Sequence, residues 1–259
     1  MPSPLSYLGG KSRLAKEIVK RISKHQCYVE PFVGAGWVFF RKPPSSVEVL
    51  NDADGELINF WRTLQQHYEA FVQAFNFAVI SRAEFLRKKK VDPQNLTELQ
   101  RAVRYFYLQR ICFGGRVENR TYGYSISRAP AILSARTRDM LPEYHQRFAQ
   151  VQFEHGDFAV CLKRYDSPHT FFYLDPPYWE TVGYEVPFGP EDFLRLRDAL
   201  RGLQGKFLLS LNDHPDIRRM FGEFHLEAVG TRYTLANGRK AKDSRLKRRG
   251  ELFITNYKP

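Results

Sequence analysis

The stretch FFYLDPPYWE (residues 171–180) starts as an apolar run and then turns to an acid, two prolines and an aromatic residue. Residues 171–174 have the character of a strand that is covered on both faces of a sheet. Proline has no N–H to donate to a ladder, so we expect the strand to end near Asp175. A turn would explain an Asp-Pro pair, but DPPY arises by chance in on the order of one chain of this size in a thousand. The stretch therefore predicts a strand whose last residues carry a function.

The composition is typical of a folded protein that stays out of membranes. Of the 259 residues, 43% are hydrophobic, which is enough for a packed core. No apolar run reaches the roughly 18 residues of a membrane helix, and no secretory signal is evident at the N-terminus, so we expect a cytoplasmic protein. The three cysteines, Cys27, Cys112 and Cys161, form neither a disulfide framework nor a CxxC pair, and we expect no metal site.

The charge indicates a polyanionic partner. Lys and Arg number 40 against 28 Asp and Glu, which gives a net charge of +12. Nucleic acid is the commonest partner of so basic a chain, although a basic surface that only keeps the protein in solution is an alternative. The basic residues concentrate in residues 82–90, 116–138 and 238–250, and aromatic residues interleave with the middle group. Such interleaving suits stacking on bases as well as pairing with phosphates.

Strand and helix patterns alternate in both ends of the chain. Strands are expected in residues 27–32, 47–52, VQFEHGD, TFFYLDPPY, 206–213, FHLEAVG and ELFITNY, and helices in residues 13–24, 190–203, HPDIRRMFG and GAGWVFFRK. This alternation predicts an α/β fold with a mostly parallel sheet and helices on both faces. We assign residues 1–55 and 150–259 to this discontinuous domain.

Residues 56–149 are predicted to be a helical insertion. Residues 96–111 are its clearest amphipathic segment, and residues 135–148 are expected to be helical with a break at Pro142. Between them, glycines, β-branched residues and aromatic residues predict a β-hairpin over residues 112–128.

Acidic residues stand at the ends of four predicted strands: Glu30, Asp52, Asp157 and Asp175. A single such acid is as often a helix cap. The carboxyl ends of parallel strands share one edge of a sheet, so four together predict an acidic rim around a ligand with hydroxyls and positive charge. The turn PFVGAG resembles a nucleotide-binding turn, but Phe39 stands where a dinucleotide fingerprint has its third glycine. A nucleoside without a pyrophosphate therefore fits better than NAD, and a nicotinamide oxidoreductase is the weakest interpretation.

The motifs together resemble one family. SYLGGKSRL (6–14), VEPFVGAGWVFF (29–40), ND (51–52), GDF (156–158), DPPY (175–178), SLND (210–213) and ELFITNY (251–257) resemble the Dam-type adenine-N6 DNA methyltransferases, the class α or D12 family. The resemblance implies the Rossmann-like fold of methyltransferases that depend on S-adenosylmethionine (SAM), with target recognition in residues 56–149. It departs from the family at Trp37, where small residues are common.

The resemblance also implies roles for single residues. SAM, which leaves as S-adenosylhomocysteine, would be bound by Tyr7, Lys11, Glu30, Phe32, Gly34, Gly36, Asp52, Asp157, Phe158 and Asp175. In this set Asp52 matches the ribose acid, and Asp157 with Phe158 matches the pair that contacts the cofactor's adenine. The catalytic residues would be Asp175, Pro176, Pro177 and Tyr178.

The chemistry of adenine N6 explains why DPPY ends a strand. The N6 lone pair is delocalised into the ring, which makes the amine a poor nucleophile. An ionised Asp175 accepts one N6–H and the Pro176 carbonyl accepts the other, which favours a pyramidal nitrogen. The target base must be flipped out of the duplex, and stacking on Tyr178 offsets part of that cost. Neither a metal nor a covalent intermediate is then required.

DNA contacts are expected in two basic regions. The predicted hairpin, which fits a major groove, carries Arg116, Asn119, Arg120 and Arg128, and a late basic loop (239–249) carries Arg239 and Lys240. The run at residues 87–90 is expected on a solvated helix face. The expected partner is double-stranded DNA, with GATC as the target site. We expect a monomer or weak dimer without an obligate protein partner, encoded by a bacterium or phage and located at the nucleoid.

Two other functions fit the same residues. An RNA adenine-N6 methyltransferase would share the pocket, but its insertion should favour single strands or 2′-hydroxyls. A nucleic-acid-binding protein with a vestigial SAM pocket is the second alternative, and the intact Lys11, Asp52, Asp175 and Tyr178 argue against it.

Overall fold

The computed structural model describes residues 1–5, 11–112, 120–123, 132, 135–181, 186–230 and 250–258. Within these residues, seven strands form one sheet in the order β3-β2-β1-β4-β5-β7-β6. The strands are β1 (Cys27–Glu30), β2 (Val47–Asp52), β3 (Val151–His155), β4 (Thr170–Leu174), β5 (Lys206–Asn212), β6 (His225–Val229) and β7 (Glu251–Thr255). Neighbours pair in parallel except at β7, which is antiparallel to both β5 and β6. The predicted α/β fold with a mostly parallel sheet is confirmed.

Helices surround this sheet. They are α1 (Ala15–Arg21), α2 (Gly55–Gln66), α3 (Tyr68–Gln73), α4 (Arg82–Lys90), α5 (Glu98–Ile111), α6 (Ala135–Phe148), α7 (Phe158–Tyr165), α8 (Pro190–Arg201) and α9 (Pro215–Met220), with a 3-10 turn at Pro93–Asn95. No helix in the described part of the chain is long and apolar enough to cross a membrane.

The two faces of the sheet bury different helices. One face packs Val29, Phe172 and Leu209 against α7, α8 and α9. The other face packs Tyr28 and Phe171 against α1. Alternate residues of a strand point to opposite faces, which is why neighbouring residues of β4 belong to different clusters. The strand order also indicates where a ligand should bind. The chain continues from β1 to β2 on one side, whereas β4 pairs with β1 on the other, and such a reversal of strand order favours ligand binding at the carboxyl ends of these strands.

The helices α2 to α6 share a third apolar cluster with residues of the first segment. Aromatic side chains dominate it, and Phe60 of α2 stacks on Phe106 of α5 with ring centroids 5.6 Å apart. Phe39 and Phe40, which precede β2, belong to the same cluster. The helices are therefore fixed to the sheet domain by a continuous apolar core. At the base of the predicted hairpin, Cys112 pairs antiparallel with Tyr122, and the hairpin's tip lies outside the described residues.

Two local predictions are wrong. The segment GAGWVFFRK forms hydrogen-bonded turns rather than a regular helix, since its bonds mix Phe40 N to Gly36 O (3.0 Å) with Arg41 N to Val38 O (2.9 Å). Proline at 43 and 44 prevents the turns from extending. The break at Pro142 is also absent, because α6 runs through that residue. Proline removes one main-chain hydrogen bond there, and the burial of the α6 residues Leu141, Tyr144 and Phe148 in the core outweighs the loss.

Candidate active site

A cavity opens at the carboxyl ends of the parallel strands. Its lining includes all the predicted cofactor-binding residues that the structure describes: Lys11, Glu30, Phe32, Gly34, Gly36, Asp52, Asp157, Phe158 and Asp175. Tyr7 lies outside the described residues. Pro177 lines the same cavity, whereas Pro176, which is buried, and Tyr178 do not. The sheet topology therefore brings the predicted SAM-binding residues together around one space.

Glycine at two positions shapes the turn below this cavity. Gly34 and Gly36 have φ angles of 47° and 63°, in the left-handed region that side chains disfavour. A Cβ at Gly36 would also lie 3.3 Å from the Phe40 ring. The turn is tied to β2, because Gly34 N donates to Asp52 Oδ2 at 2.9 Å.

Asp52 stands at the end of β2 as predicted. Its second oxygen accepts from the N–H of Asp54 at 3.0 Å, so two backbone donors fix the carboxylate. Burial raises the pKa of Asp52, and these hydrogen bonds oppose the rise. Each carboxylate oxygen has a further lone pair, which leaves acceptors for a pair of hydroxyl groups.

An aromatic wall stands beside Asp157. The rings of Phe32 and Phe158 stack with centroids 5.3 Å apart, and Phe188 contacts the Phe32 ring edge-on at 5.7 Å. The Asp157 carboxylate caps α7 by accepting from Ala159 N at 2.9 Å, so the helix-cap interpretation of this acid is also correct. Sequence reasoning missed Phe188, because it lies in a loop without a motif.

The predicted catalytic residues meet a buried lysine. Lys11, whose side chain is 4% exposed, donates from Nζ to Asp175 Oδ1 at 2.6 Å. It also donates to the hydroxyl of Tyr178 and lies 4.2 Å from the centroid of that ring. The ammonium group thus lies at the hydroxyl end of the tyrosine ring. Asn212 of the SLND stretch fixes the loop after DPPY, because its Oδ1 accepts from Trp179 N at 3.0 Å.

Glu251 is a member of this cluster that sequence reasoning did not select. Its carboxylate accepts from the Tyr178 hydroxyl at 2.5 Å and from Ser210, and it lies 3.3 Å from Lys11 Nζ. Glu251 is the first residue of β7, and β7 is antiparallel. The amino end of β7 therefore lies at the edge of the sheet where the parallel strands have their carboxyl ends. Sequence reasoning missed Glu251 because it considered only acids at the carboxyl ends of strands.

Burial changes the protonation of the acidic rim. It raises the pKa of Asp175 to about 6, although the charge of Lys11 opposes the rise. It raises the pKa of Glu30 to about 8, although Tyr28 donates a hydrogen bond to that carboxylate at 2.7 Å. For Lys11, burial lowers the pKa, but the charges of Asp175 and Glu251 outweigh burial and the pKa is raised. At neutral pH, Glu30 is therefore mostly protonated while Lys11 stays charged.

The family model for D12 class N6 adenine-specific DNA methyltransferases matches residues 7–235. The chain belongs to this family. The resemblance stated from the motifs is thus confirmed, and with it an adenine-specific DNA methyltransferase that uses SAM.

Relatives of this D12 methyltransferase carry matching names. A Type II methyltransferase of Lactococcus lactis subsp. cremoris is 29% identical over 97% of this chain and 94% of its own length. A Type II methyltransferase of Methanocaldococcus jannaschii is 23% identical over 98% of both chains. The DNA adenine methylase of Escherichia coli K12 is 27% identical over 67% of this chain and 64% of its own length.

Of the predicted DNA-binding residues of this D12 methyltransferase, Arg120 lies within the described part of the chain. Arg120 lies 5.1 Å above the Tyr105 ring, and its carbonyl accepts from Lys89 Nζ at 2.9 Å. Arg87, Lys89 and Lys90 are exposed, which agrees with the predicted solvated face of α4, but Lys89 also ties that helix to the base of the hairpin. The other predicted DNA-binding residues, Arg116, Asn119, Arg128, Arg239 and Lys240, lie outside the described residues.

Proposed function

We propose that the cavity binds SAM and that the DPPY residues present a flipped-out adenine of duplex DNA to it for N6 methylation. The observation that carries the proposal is the position of Asp175, which lines the same cavity as the predicted ribose acid Asp52. The cavity also fits a cationic nucleoside, since six acidic residues line it and two glycines with positive φ angles shape the turn beneath it. When bound, SAM supplies a methyl group on a positively charged sulfur.

The adenosine end of the cofactor is assigned to the β2 and β3 side. Asp52, fixed by two backbone donors, accepts the ribose hydroxyls. Phe32, Phe158 and Phe188 provide aromatic surface for the cofactor's adenine. The methionyl end then extends towards β1 and β4, where Glu30 and Asp175 lie.

The target adenine is assigned to the space beside Asp175 and Tyr178. Lys11 holds Asp175 Oδ1, so Oδ2 accepts one N6–H while the Pro176 carbonyl accepts the second. These two acceptors draw the N6 hydrogens away and turn the nitrogen lone pair towards the cofactor. Because burial raises the pKa of Asp175 to about 6, this carboxylate is also suited to take the proton that N6 loses.

The helical insertion, residues 56–149, is proposed as the target-recognition region. Its support is the set of cations at the base of the predicted hairpin, where Lys89 and Arg120 are joined. A double-stranded substrate, the GATC site, a monomer or weak dimer, and a bacterial or phage enzyme acting at the nucleoid remain predictions. An RNA substrate is the competing prediction for the same pocket.

Mapping methylated adenines tests the proposal directly. The chain and its Asp175→Asn variant are expressed in a host without adenine methylation, and the positions of N6-methyladenine in DNA and RNA are sequenced. We expect one short DNA motif, GATC, to be methylated by the parent chain alone. Methylation confined to RNA, or a DNA pattern equal in both strains, would contradict the proposal.

Binding of SAM is expected to release a proton near pH 7. Glu30 has a pKa of about 8 in the empty site and is mostly protonated, and a cationic ligand beside it lowers that pKa. Affinity for SAM should therefore rise with pH up to about 8 and then level off. Calorimetry in two buffers with different ionisation enthalpies measures the release, and Glu30→Gln should abolish it. Equal enthalpies in both buffers for the parent chain would contradict the assignment.

A further inference from the structure

The hydroxyl of Tyr173 is a buried polar group without a hydrogen-bond partner among the described residues. Tyr173 is 2% exposed, and it lines the cavity that is proposed to bind SAM. Buried hydroxyls are nearly always paired, so an unpaired one at a cavity wall points to a ligand. Neither the motif analysis nor the family resemblance selected this residue.

The strand register fixes where this hydroxyl lies. Tyr173 is two residues before Asp175, so both side chains are on the α1 face of the sheet. Val29 pairs with Phe172, which places Tyr173 beside Glu30 on the neighbouring strand β1. The hydroxyl therefore belongs to the part of the cavity between Glu30 and Asp175, on the opposite side of β1 from Asp52.

The surrounding charges keep this group a neutral phenol. Burial raises the pKa of Tyr173 well above its usual value, and the charges of Asp175 and Glu30 add to the rise. The phenol retains its proton, so it can donate one hydrogen bond and accept others. A ligand that carries both an ammonium and a carboxylate can use either capacity.

We propose that Tyr173 is a SAM-binding residue whose hydroxyl hydrogen-bonds the amino-acid end of the cofactor. The inference rests on the proposed function, because it uses the assignment of adenosine to Asp52 and the aromatic wall. With adenosine over β2 and β3, the amino-acid end is the part of the cofactor that extends to β4. The Tyr173 hydroxyl therefore finds its hydrogen-bond partner in bound SAM and not among the described residues of the folded protein.

Replacing Tyr173 with phenylalanine distinguishes a role of the hydroxyl in binding SAM from a role in the stability of the ligand-free protein. The Tyr173→Phe variant removes one oxygen that has no described partner, so the melting temperature without ligand should stay equal or rise. Affinity for SAM and for S-adenosylhomocysteine should fall by about 2- to 10-fold, the range for loss of one hydrogen bond. Both quantities are measured by calorimetry and thermal unfolding, without any assay of methyl transfer.

Tyr28→Phe is the matched control. Tyr28 is equally buried on the adjacent strand, but its hydroxyl donates to Glu30 at 2.7 Å. Removal of that hydroxyl should lower the melting temperature of the ligand-free protein. If Tyr173→Phe lowers it to the same extent and leaves SAM affinity unchanged, the Tyr173 hydroxyl is structural and the inference is overturned.

A truncated cofactor identifies the end that is bound. 5′-Methylthioadenosine lacks the amino-acid end, so the parent chain and Tyr173→Phe should bind it equally, whereas S-adenosylhomocysteine should distinguish them. Equal losses for both ligands would place the hydroxyl at the adenosine end, and a loss with SAM alone would place it at the methyl group. Either result overturns the inference while the proposed function stands. A parent chain that binds none of the three ligands overturns both.

Discussion

Asp175→Ala is expected to reduce the single-turnover rate of methyl transfer by at least about 100-fold, the usual effect of losing one group that acts on the transition state. Asp175 accepts an N6–H in the proposed mechanism, and no other carboxylate of the described residues is both held by Lys11 and placed at the end of β4. Affinity for duplex DNA should change by no more than a few-fold, because the phosphate contacts are proposed to be made by basic residues of the insertion. Rapid-quench kinetics and fluorescence anisotropy measure the two quantities.

Folding of the Asp175→Ala protein is secured by the second acid of the cluster. Lys11 retains its pairing with Glu251 at 3.3 Å, so the buried cation is not left alone. A cooperative thermal transition close to that of the parent chain serves as the control. Near-normal turnover in a folded variant would disprove the mechanism.

The same residue predicts the acid side of the pH profile. Asp175 is an acid with its pKa raised to about 6, and only its ionised form accepts from N6, so kcat/KM for DNA at saturating SAM should fall as pH drops below about 6. Lys11 holds this pKa down by its charge. A Lys11→Met protein, if saturated with SAM, should therefore lose activity at a higher pH than the parent chain.

Tyr178→Ala is expected to weaken the binding of the flipped adenine by about 1–3 kcal/mol, the usual contribution of one aromatic stack. Lys11 contacts the hydroxyl end of the ring, so the base is expected to stack on a face of the ring and not at that end. DNA with 2-aminopurine at the target position reports flipping through its fluorescence. The increase seen with the parent chain should be much smaller with Tyr178→Ala, while SAM affinity changes less.

Tyr178→Phe is the control for this prediction. It keeps the ring and removes only the hydroxyl that donates to Glu251 at 2.5 Å. The 2-aminopurine signal should therefore be close to that of the parent chain. An unchanged signal in Tyr178→Ala would show that the stacking surface is supplied by another residue.

The sequence predicts the acidic rim well because strand ends and motifs are local signals. Asp52 ends β2, while Asp157 and Asp175 follow β3 and β4, and the parallel topology then brings them to one cavity. Glu251 and Tyr173 escape this reasoning for different physical reasons. The first reaches the site through an antiparallel strand, and the second lies inside an apolar run where a tyrosine is indistinguishable from core.

Tertiary packing explains one of the two local errors, and local glycine and proline residues explain the other. Pro142 removes one main-chain hydrogen bond from α6. The burial of aromatic residues on one face of α6 stabilises the helix by more than this loss. Residues 34–42 do not form a regular helix because glycines stand at the start of the segment and prolines follow its end, which leaves too few residues between them. The outcome at Pro142 depends on contacts with segments distant in sequence, which periodicity does not report.

The insertion of β7 between β5 and β6 has a consequence for how the chain matures during synthesis. β6 precedes β7 in sequence, and among the described strands it pairs with β7 alone. While the ribosome has yet to deliver residue 251, β6 has no strand to pair with and Tyr178 lacks the acid that holds its hydroxyl. A nascent chain should therefore be unable to methylate DNA until β7 has left the ribosome. Stalled chains that stop before β7 should be inactive and sensitive to proteolysis.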